Sequence, residues 1–254
     1  MNSIFDKILR KFINLLGLKN ENYNKFILIG RGRTGSNLLL TTLNQHPNCV
    51  AMFEEFGTKK PRPAKKEELK KIFKKYPAYI KSVGFKIFYH HAIPNAENFW
   101  DRPAKGQIWE ELGRDKSIKV IHLKRRNYFE TLVSEKIAER RNKWFQMDNE
   151  PEDDEIQVNI TVENCVEFFE HTKKLEKIYD DLFFDHKKIE IQYDDLKNNF
   201  SKTIKQTFDF LKLDRREIDA PIKKQRNKQN HEYVQNCEFL KEHFSNTEWA
   251  KFFK

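Results

Sequence analysis

The segment K-F-I-L-I-G-R-G-R-T-G-S-N-L-L-L, Lys25 to Leu40, decides the fold of this chain. Its apolar run, Phe26–Ile29, is typical of a short buried strand, and the leucine-rich part that begins at Ser36 is typical of a helix. A glycine-rich turn joins the two. A strand, such a turn and a helix N-terminus form an anion cradle, because bare backbone N–H groups and the helix dipole both favour negative charge. The segment therefore predicts a site for a phosphate or sulfate group.

The turn differs from the most common nucleotide-binding loop. A Walker A pattern laid from Gly30 to Gly35 requires a lysine at the next position, where this chain has Ser36. The dinucleotide pattern G-x-G-x-x-G does match, through Gly30, Gly32 and Gly35, and the acidic pair Glu54–Glu55 follows about 20 residues later. A nicotinamide-dependent oxidoreductase is therefore one alternative.

Two arginines inside the turn bear on this alternative. Arg31 and Arg33 are bulky cations, whereas a dinucleotide loop relies on close approach of the backbone to its ligand. A loop that neutralises a highly charged sulfated or phosphorylated group benefits from such cations. The turn therefore favours a strongly anionic ligand.

The composition is that of a basic globular chain. The 254 residues include 22 Phe and 38% hydrophobic residues, enough for one large core, and no apolar run is long enough to span a membrane. The 48 Lys and Arg exceed the 38 Asp and Glu, for a formal charge of +10. A non-catalytic nucleic-acid-binding or membrane-binding protein is a second alternative, but solvated lysines explain the charge equally well and the alternative does not explain the glycine loop. The basic run Lys59–Lys66 is predicted to be an exposed loop, and no nucleic-acid partner is expected.

The three cysteines, Cys49, Cys165 and Cys237, are odd in number and widely spaced. They are typical of buried thiols in a reducing compartment, which predicts a cytoplasmic location. No Cys or His cluster has the spacing of a zinc site, so no metal is expected.

The chain begins with a basic amphipathic segment, Ser3–Leu18, whose apolar residues recur at helical spacing between charged ones. A helix of this kind can lie on a membrane surface. Packing onto the domain or onto a second subunit is the more common arrangement and is the one predicted. The expected organisation is an N-terminal helix in residues 1–24 and a single domain in residues 25–254.

Strand and helix patterns alternate along the rest of the chain. The predicted strands are Phe26–Ile29, Asn48–Phe53, Ser82–Tyr89, Lys119–Leu123 and Ile189–Tyr193. The predicted helices are Glu67–Tyr76, Tyr128–Trp144, a helix from the cap Thr161 to Phe184, and Ser201–Leu211, and the acidic segment Asp148–Glu155 is predicted to be a loop. This alternation predicts an α/β fold with a central, mostly parallel sheet flanked by helices on both faces.

A second motif follows the strand Lys119–Leu123. Arg126 lies at the carboxyl end of that strand, where α/β sheets place their ligands, and Ser134 follows eight residues later on the next helix. A guanidinium and a hydroxyl in these positions can converge on one phosphate. Together with the glycine-rich turn, this motif predicts a ligand that is charged at both ends.

The two motifs resemble those of the superfamily of sulfotransferases that use 3′-phosphoadenosine 5′-phosphosulfate (PAPS). G-R-G-R-T-G-S-N-L-L is similar to their 5′-phosphosulfate loop, and K-V-I-H-L-K-R-R-N-Y-F-E-T-L-V-S to their 3′-phosphate motif. The long helix after Arg126 makes the chain most similar to bacterial carbohydrate sulfotransferases. Three shorter stretches agree with this resemblance: Val83–Lys86, Tyr193–Leu196 and Lys223–Leu240.

The resemblance implies a three-layer, P-loop-like fold and an enzyme that transfers a sulfuryl group from PAPS to an acceptor hydroxyl without a metal. The implied acceptor is a carbohydrate or glycolipid. In this family Arg33 would stabilise charge on the leaving phosphate, and Arg126 and Ser134 would hold the 3′-phosphate. The 5′ end of the donor would be bound by the loop residues Arg31, Gly32, Arg33, Thr34, Gly35, Ser36 and Asn37.

The acceptor side of the site needs a base for the proton of the attacking hydroxyl. The resemblance points to Glu54, and His91 is the alternative because histidine titrates near neutral pH. Lys86, with Glu54, is expected to line the acceptor pocket. Four aromatic residues could form a platform for a sugar, although most aromatic residues in a chain so rich in Phe are expected in the core: Phe56, Tyr89, Trp100 and Trp109.

Overall fold

The fold is built on a five-stranded parallel sheet. The computed structural model describes residues 4–57, 65–92, 106–142, 156–220 and 230–254. The strands of this sheet are β2 (Asn24–Gly30), β3 (Cys49–Glu54), β5 (Ser82–Phe88), β6 (Lys119–Lys124) and β7 (Lys188–Gln192), and their order is β3-β5-β2-β6-β7. Every neighbouring pair is parallel. The predicted α/β class with a central, mostly parallel sheet is confirmed.

Helices cover both faces of the sheet. The helices of the described residues are α1 (Ile4–Leu15), α2 (Ser36–Asn44), α3 (Glu67–Ile72), α4 (Gln107–Arg114), α5 (Tyr128–Arg141), α6 (Val162–Leu182), α7 (Tyr193–Asn198), α8 (Phe200–Leu211), α9 (Asn230–Tyr233) and α10 (Cys237–Phe244). Side chains of β2 alternate between the faces: Phe26 and Leu28 pack with α2 and α8, while Ile27 and Ile29 pack with α4 and α6. The result is the predicted three-layer arrangement.

A third cluster of buried residues holds α5 in place. Phe129 and Val133 of α5 pack against Phe169 of α6, Phe244 of α10 and the 3₁₀ helix Ala250–Phe253 at the end of the chain. This packing fixes the helix that carries the second anion motif.

The helix boundaries differ from the predictions where local geometry ends a helix early. The helix predicted to reach Tyr76 ends at Ile72, since Tyr76–Pro77 forms a short strand, β4, that pairs with β1 (Lys19–Asn20). Phe73 leaves helical geometry with φ −90° and ψ 52°, and Tyr76 is kept out of it because it precedes Pro77. The helix predicted to reach Trp144 ends at Arg141, where Asn142 takes a left-handed conformation with φ 50°.

The Thr161 cap is confirmed. Its hydroxyl accepts a hydrogen bond from the backbone N–H of Asn164 at 3.2 Å, within a complete capping box. Several features named from the sequence lie outside the described residues: Trp100, Trp144, the acidic segment 148–155 and residues 59–64 of the basic run.

The N-terminal helix α1 does not pack its apolar face against the rest of the described chain. Ile8, Phe12 and Leu15 are exposed, and contact with the body runs through Arg10 instead. Of the two predicted arrangements, packing onto the domain is not seen in the described chain, and packing onto a second subunit stays a prediction. No helix in the described ranges is long and apolar enough to cross a membrane.

Candidate active site

The glycine-rich turn, residues 31–35, leads from β2 into α2. Gly35 has φ +86°, and a Cβ there would lie 2.6 Å from Cδ2 of Tyr193, so the backbone conformation and the packing both require glycine. Gly35 is also the N-cap of α2 and has no side chain to accept from the first N–H groups of the helix. Those donors point into the turn, as an anion site requires.

Arg33 connects the turn to the second motif. Its Nε donates a hydrogen bond to Oγ of Ser134 at 3.1 Å. Its backbone has φ +65°, an uncommon conformation for a residue with a side chain and one that concentrates at functional sites. The structure thus joins two predicted site residues that are 101 positions apart in the sequence.

Arg125 is a member of the site that the sequence analysis missed. It is buried, forms an ion pair with Glu130, and lies with its guanidinium 4.6 Å from the centre of the Tyr193 ring. Its Nη1 donates to the carbonyl oxygen of Arg33 at 3.4 Å. Arg125 therefore supports the turn from its buried side, whereas the side chain of its neighbour Arg126 is exposed. Successive side chains of an extended segment point to opposite sides, and this alternation could have indicated that one of the two adjacent arginines is buried.

Arg126 lies where the sequence predicted, between the end of β6 and the start of α5. The next residue, Asn127, caps α5 by accepting from the N–H of Glu130 at 3.0 Å, so the N-terminal end of the helix dipole lies beside Arg126. The guanidinium is more than half exposed and pairs with the carboxylate of Asp195 at 2.8 Å. A phosphate bound by Arg126 would compete with that carboxylate.

Arg31 takes a different position from the one that its place in the turn suggested. Its guanidinium stacks on Phe168 of α6 at 3.6 Å from the ring centre and donates to Oγ1 of Thr172 at 3.2 Å. It also pairs with Glu135 at 3.5 Å, and burial lowers the pKa of Arg31 against the opposing effect of that carboxylate. The side chain of Arg31 therefore holds the turn against α6.

The hydroxyl of Thr34 is also used within the turn. It donates to the carbonyl oxygen of Arg31 at 2.8 Å, and the side chain is buried. A donor bound in the turn would therefore meet the backbone N–H of Thr34 rather than its hydroxyl. Ser36, the first residue of α2, is buried as well.

A second cluster, formed by Lys86, Glu54 and Asn37, lies next to the turn. Lys86 on β5 is only 1% exposed, and its ammonium lies 2.9 Å from Oε1 of Glu54 at the end of β3. The same ammonium donates to Oδ1 of Asn37, the second residue of α2, at 2.6 Å. Burial lowers the pKa of Lys86, and the Glu54 carboxylate opposes that shift. Lys86 therefore connects the anion turn to the predicted base.

The surroundings of His91 do not fit the role of a general base. Burial, followed by the effects of His90 and Lys86, lowers the pKa of His91 to about 3, so the ring is neutral near pH 7. Its Nδ1 accepts from the backbone N–H of Phe88 at 3.3 Å, which assigns the proton to Nε2, 3.8 Å from Oε2 of Glu54. This tautomer has no lone pair facing the site, and the ring instead packs beside the Glu54 carboxylate.

The predicted aromatic platform is wrong for the three members that the structure describes. Phe56, Tyr89 and Trp109 are all buried in the core. The hydroxyl of Tyr89 lies 2.5 Å from Nε2 of His122, and Nε1 of Trp109 donates to the carbonyl oxygen of His91 at 2.8 Å. These contacts stabilise the core behind the site, because buried Tyr and Trp need hydrogen-bond partners.

A cleft of about 340 Å³ opens beside Arg126, and the sequence analysis missed it. Among its lining residues, Glu176 accepts from the hydroxyl of Tyr128 at 2.9 Å, and burial raises the pKa of Glu176 to about 7. The complete lining consists of Lys124, Arg125, Arg126, Tyr128, Glu176, Glu190, Gln192 and Lys251. Within the described part of the chain, no group of three or more His, Cys, Asp or Glu residues could hold a metal ion.

The fold and the site together define a class of protein. A parallel sheet with anion-binding motifs at the carboxyl ends of two neighbouring strands, β2 and β6, is typical of α/β proteins that bind a nucleotide-like ligand at that edge. The chain belongs to the sulfotransferase family, since the family's sulfotransferase domain matches residues 23–254. It is therefore a transferase enzyme, as the resemblance predicted. The oxidoreductase and the non-catalytic alternatives are wrong.

Known relatives agree with this membership. The chain is 27% identical over 245 residues to nodulation protein H of Rhizobium tropici, with 90% of this chain and 92% of the relative covered. It is 25% identical over 250 residues to nodulation protein H of Rhizobium meliloti strain 1021, with 90% and 94% covered. A solved sulfotransferase from Alicyclobacillus acidocaldarius has the same fold, with a TM-score of 0.52 and 13% identity over 88% of this chain and 91% of that one.

Proposed function

We propose that this sulfotransferase takes its sulfuryl group from PAPS and transfers it to a hydroxyl of a carbohydrate or glycolipid. The observation that carries the donor assignment is the hydrogen bond from Arg33 to Ser134, which brings the two anion motifs together. One ligand with a phosphosulfate at one end and a phosphate at the other suits both motifs. The acceptor assignment is supported by the resemblance of the sequence to bacterial carbohydrate sulfotransferases.

The turn fits the 5′ end of such a donor. A Cβ at Gly32 would meet no described atom within 4 Å, so packing within the described chain does not require glycine there. The missing side chain instead leaves room for an anion to approach the backbone. The N–H groups at the start of α2, from Ser36 and Asn37, would complete the 5′-phosphate site, while Arg126 and Ser134 would hold the 3′-phosphate.

Arg33 is the residue expected to act on the reacting group. PAPS supplies the activated sulfuryl group, and the bond to its phosphate breaks during transfer. A guanidinium beside that phosphate stabilises the negative charge that develops there. The hydrogen bond to Ser134 and the contact with Arg125 hold Arg33 in place for this role.

Glu54 is the base that the geometry favours. Its side chain is 41% exposed and can reach an acceptor, while Lys86 holds one of its oxygens at 2.9 Å from the buried side and the His91 ring lies 3.8 Å from the other. The carboxylate would accept the proton of the attacking hydroxyl. Because Lys86 also binds Asn37, the base is fixed relative to the donor turn.

Transfer of label from ³⁵S-PAPS to a panel of oligosaccharides, glycolipids and simple phenols tests the proposal. We expect labelled carbohydrate or glycolipid with the wild-type chain and loss of that labelling in Glu54→Gln. Glu67→Gln, a change in an exposed glutamate of α3, is the matched control and should retain activity. Labelling of phenols without any labelled carbohydrate would contradict the acceptor assignment, and full activity of Glu54→Gln would contradict the base.

A further inference from the structure

The helix α1 contacts the body of the protein through its polar side. Nη2 of Arg10 lies 3.5 Å from Oδ1 of Asn48, and the Arg10 guanidinium lies 5.6 Å from the centre of the Tyr79 ring. Helical periodicity puts Arg10 on the side that also carries Lys7 and Lys11. Arg10 therefore holds the helix against the body, while Lys7 and Lys11 remain exposed.

The opposite side of α1 is a continuous apolar surface. Its members recur at helical spacing and continue beyond the end of the helix. Phe12 is 56% exposed and Leu15 is 83% exposed. We call this surface the apolar α1 face, and it consists of Ile8, Leu9, Phe12, Leu15, Leu16 and Leu18. A contiguous set of large apolar side chains in water indicates a binding surface.

From this placement we infer that the apolar α1 face binds the surface of an anionic lipid bilayer. Lys7 and Lys11 are exposed beside the face, and Lys19 follows directly after it. Apolar side chains that enter the interface between headgroups and acyl chains, with lysines beside anionic headgroups, are the pattern of a helix that lies in the membrane plane. The 12 residues of α1 are too few to span a bilayer, so the helix would lie flat.

Charge decides against a second copy of the chain as the occupant. If two α1 helices paired through this face, the Lys7 and Lys11 side chains of one would flank those of the other. Complementary acidic residues are needed to make such flanking positions favourable, and Asp6 is the single acidic residue in the α1 sequence. An anionic bilayer supplies the complementary charge that a second copy lacks.

Co-sedimentation of the full-length chain with large unilamellar vesicles tests this inference and does not depend on the acceptor or on catalysis. The probes are vesicles of equal parts phosphatidylglycerol and phosphatidylcholine, and vesicles of phosphatidylcholine alone. We expect binding to the anionic vesicles that weakens with salt. Phe12→Gln/Leu15→Gln should lower the partition coefficient at least about tenfold, since burial of apolar side chains drives the binding.

Lys7→Gln/Lys11→Gln should lower binding to the anionic vesicles by about tenfold or more at low salt. Phe184→Gln is the matched control, because Phe184 is 79% exposed but follows the end of α6 and is not a member of this face. Circular dichroism confirms that each variant is folded. Absence of vesicle binding, equal binding to both kinds of vesicle, or a dimer in solution that Phe12→Gln dissociates would overturn the inference.

Discussion

The ion pair between Lys86 and Glu54 allows a sharp prediction about stability, because its two side chains differ greatly in their exposure to water. The Lys86 side chain is 1% exposed, whereas that of Glu54 is 41% exposed. If Glu54 is changed to Gln, the ammonium stays buried and loses its counter-charge. If Lys86 is changed to Met, the carboxylate of Glu54 remains hydrated.

The expected losses of stability follow from this asymmetry. Removing one member of a buried pair costs about 3–5 kcal/mol when the charge left behind cannot reach water. The buried ammonium can instead lose its proton, which costs about 5 kcal/mol at pH 7. The loss of stability therefore cannot exceed about 5 kcal/mol. Because Gln keeps one oxygen that can accept from Lys86, we expect Glu54→Gln to lose about 2–4 kcal/mol.

Lys86→Met should lose about 1 kcal/mol or less, since Phe53 and Phe88 surround the new side chain and the exposed carboxylate keeps its water. Urea unfolding followed by tryptophan fluorescence measures both losses. The loss of unfolding free energy in Glu54→Gln should become smaller between about pH 7 and pH 9. In that range Lys86 becomes neutral in the folded variant but stays protonated in the unfolded chain, and stability rises with pH wherever the unfolded chain binds more protons. Glu54→Gln as stable as Lys86→Met at pH 7 would refute the reasoning.

Three further predictions concern the turn and the base region. Arg33→Ala should lower kcat by about 10²–10³ and change the affinity for 3′-phosphoadenosine 5′-phosphate only slightly, and equal losses in both would show that Arg33 only binds the donor. Gly35→Ala should lower the free energy of unfolding by about 2 kcal/mol or more in urea, because its Cβ would contact Tyr193 and its φ is +86°. Wild-type stability in this variant would contradict the geometry of the turn. As the pH falls below about 6, the free energy of unfolding of the wild type should decrease by about 1.4 kcal/mol per pH unit more than that of His91→Gln. The reason is that the pKa of His91 is near 6.5 in the unfolded chain and about 3 in the folded one. Parallel stability curves from pH 6 to pH 4 would contradict that assignment.

The local parts of the fold could be predicted because their signals lie within short stretches of sequence. The apolar run Phe26–Ile29 and the glycines after it define β2 and its turn without reference to any other element. Thr161 marks a helix start because a hydroxyl there can accept from the first turn. These features needed no knowledge of how distant segments meet.

The details of the site depend on contacts between distant segments, and the sequence alone does not reveal them. Arg31 was expected to neutralise the ligand, but its guanidinium contacts Phe168 and Thr172 of α6 instead. Arg125 was missed because its partner is a carbonyl oxygen of the turn, about 90 residues earlier. Trp109 was a candidate for the sugar platform, since nothing in the sequence around it distinguishes a core aromatic residue from a sugar-binding one.

The central claim is that the turn and Arg126 bind the two ends of one donor nucleotide. Isothermal titration calorimetry with 3′-phosphoadenosine 5′-phosphate and with NAD tests it most directly. We predict binding of the former and no binding of NAD. Arg126→Ala should weaken the binding by about 10- to 100-fold, as expected for loss of a charged hydrogen bond. Asp195→Asn, which removes the carboxylate that pairs with Arg126, should preserve it. Binding of NAD alone, or undiminished binding in Arg126→Ala, would contradict the account.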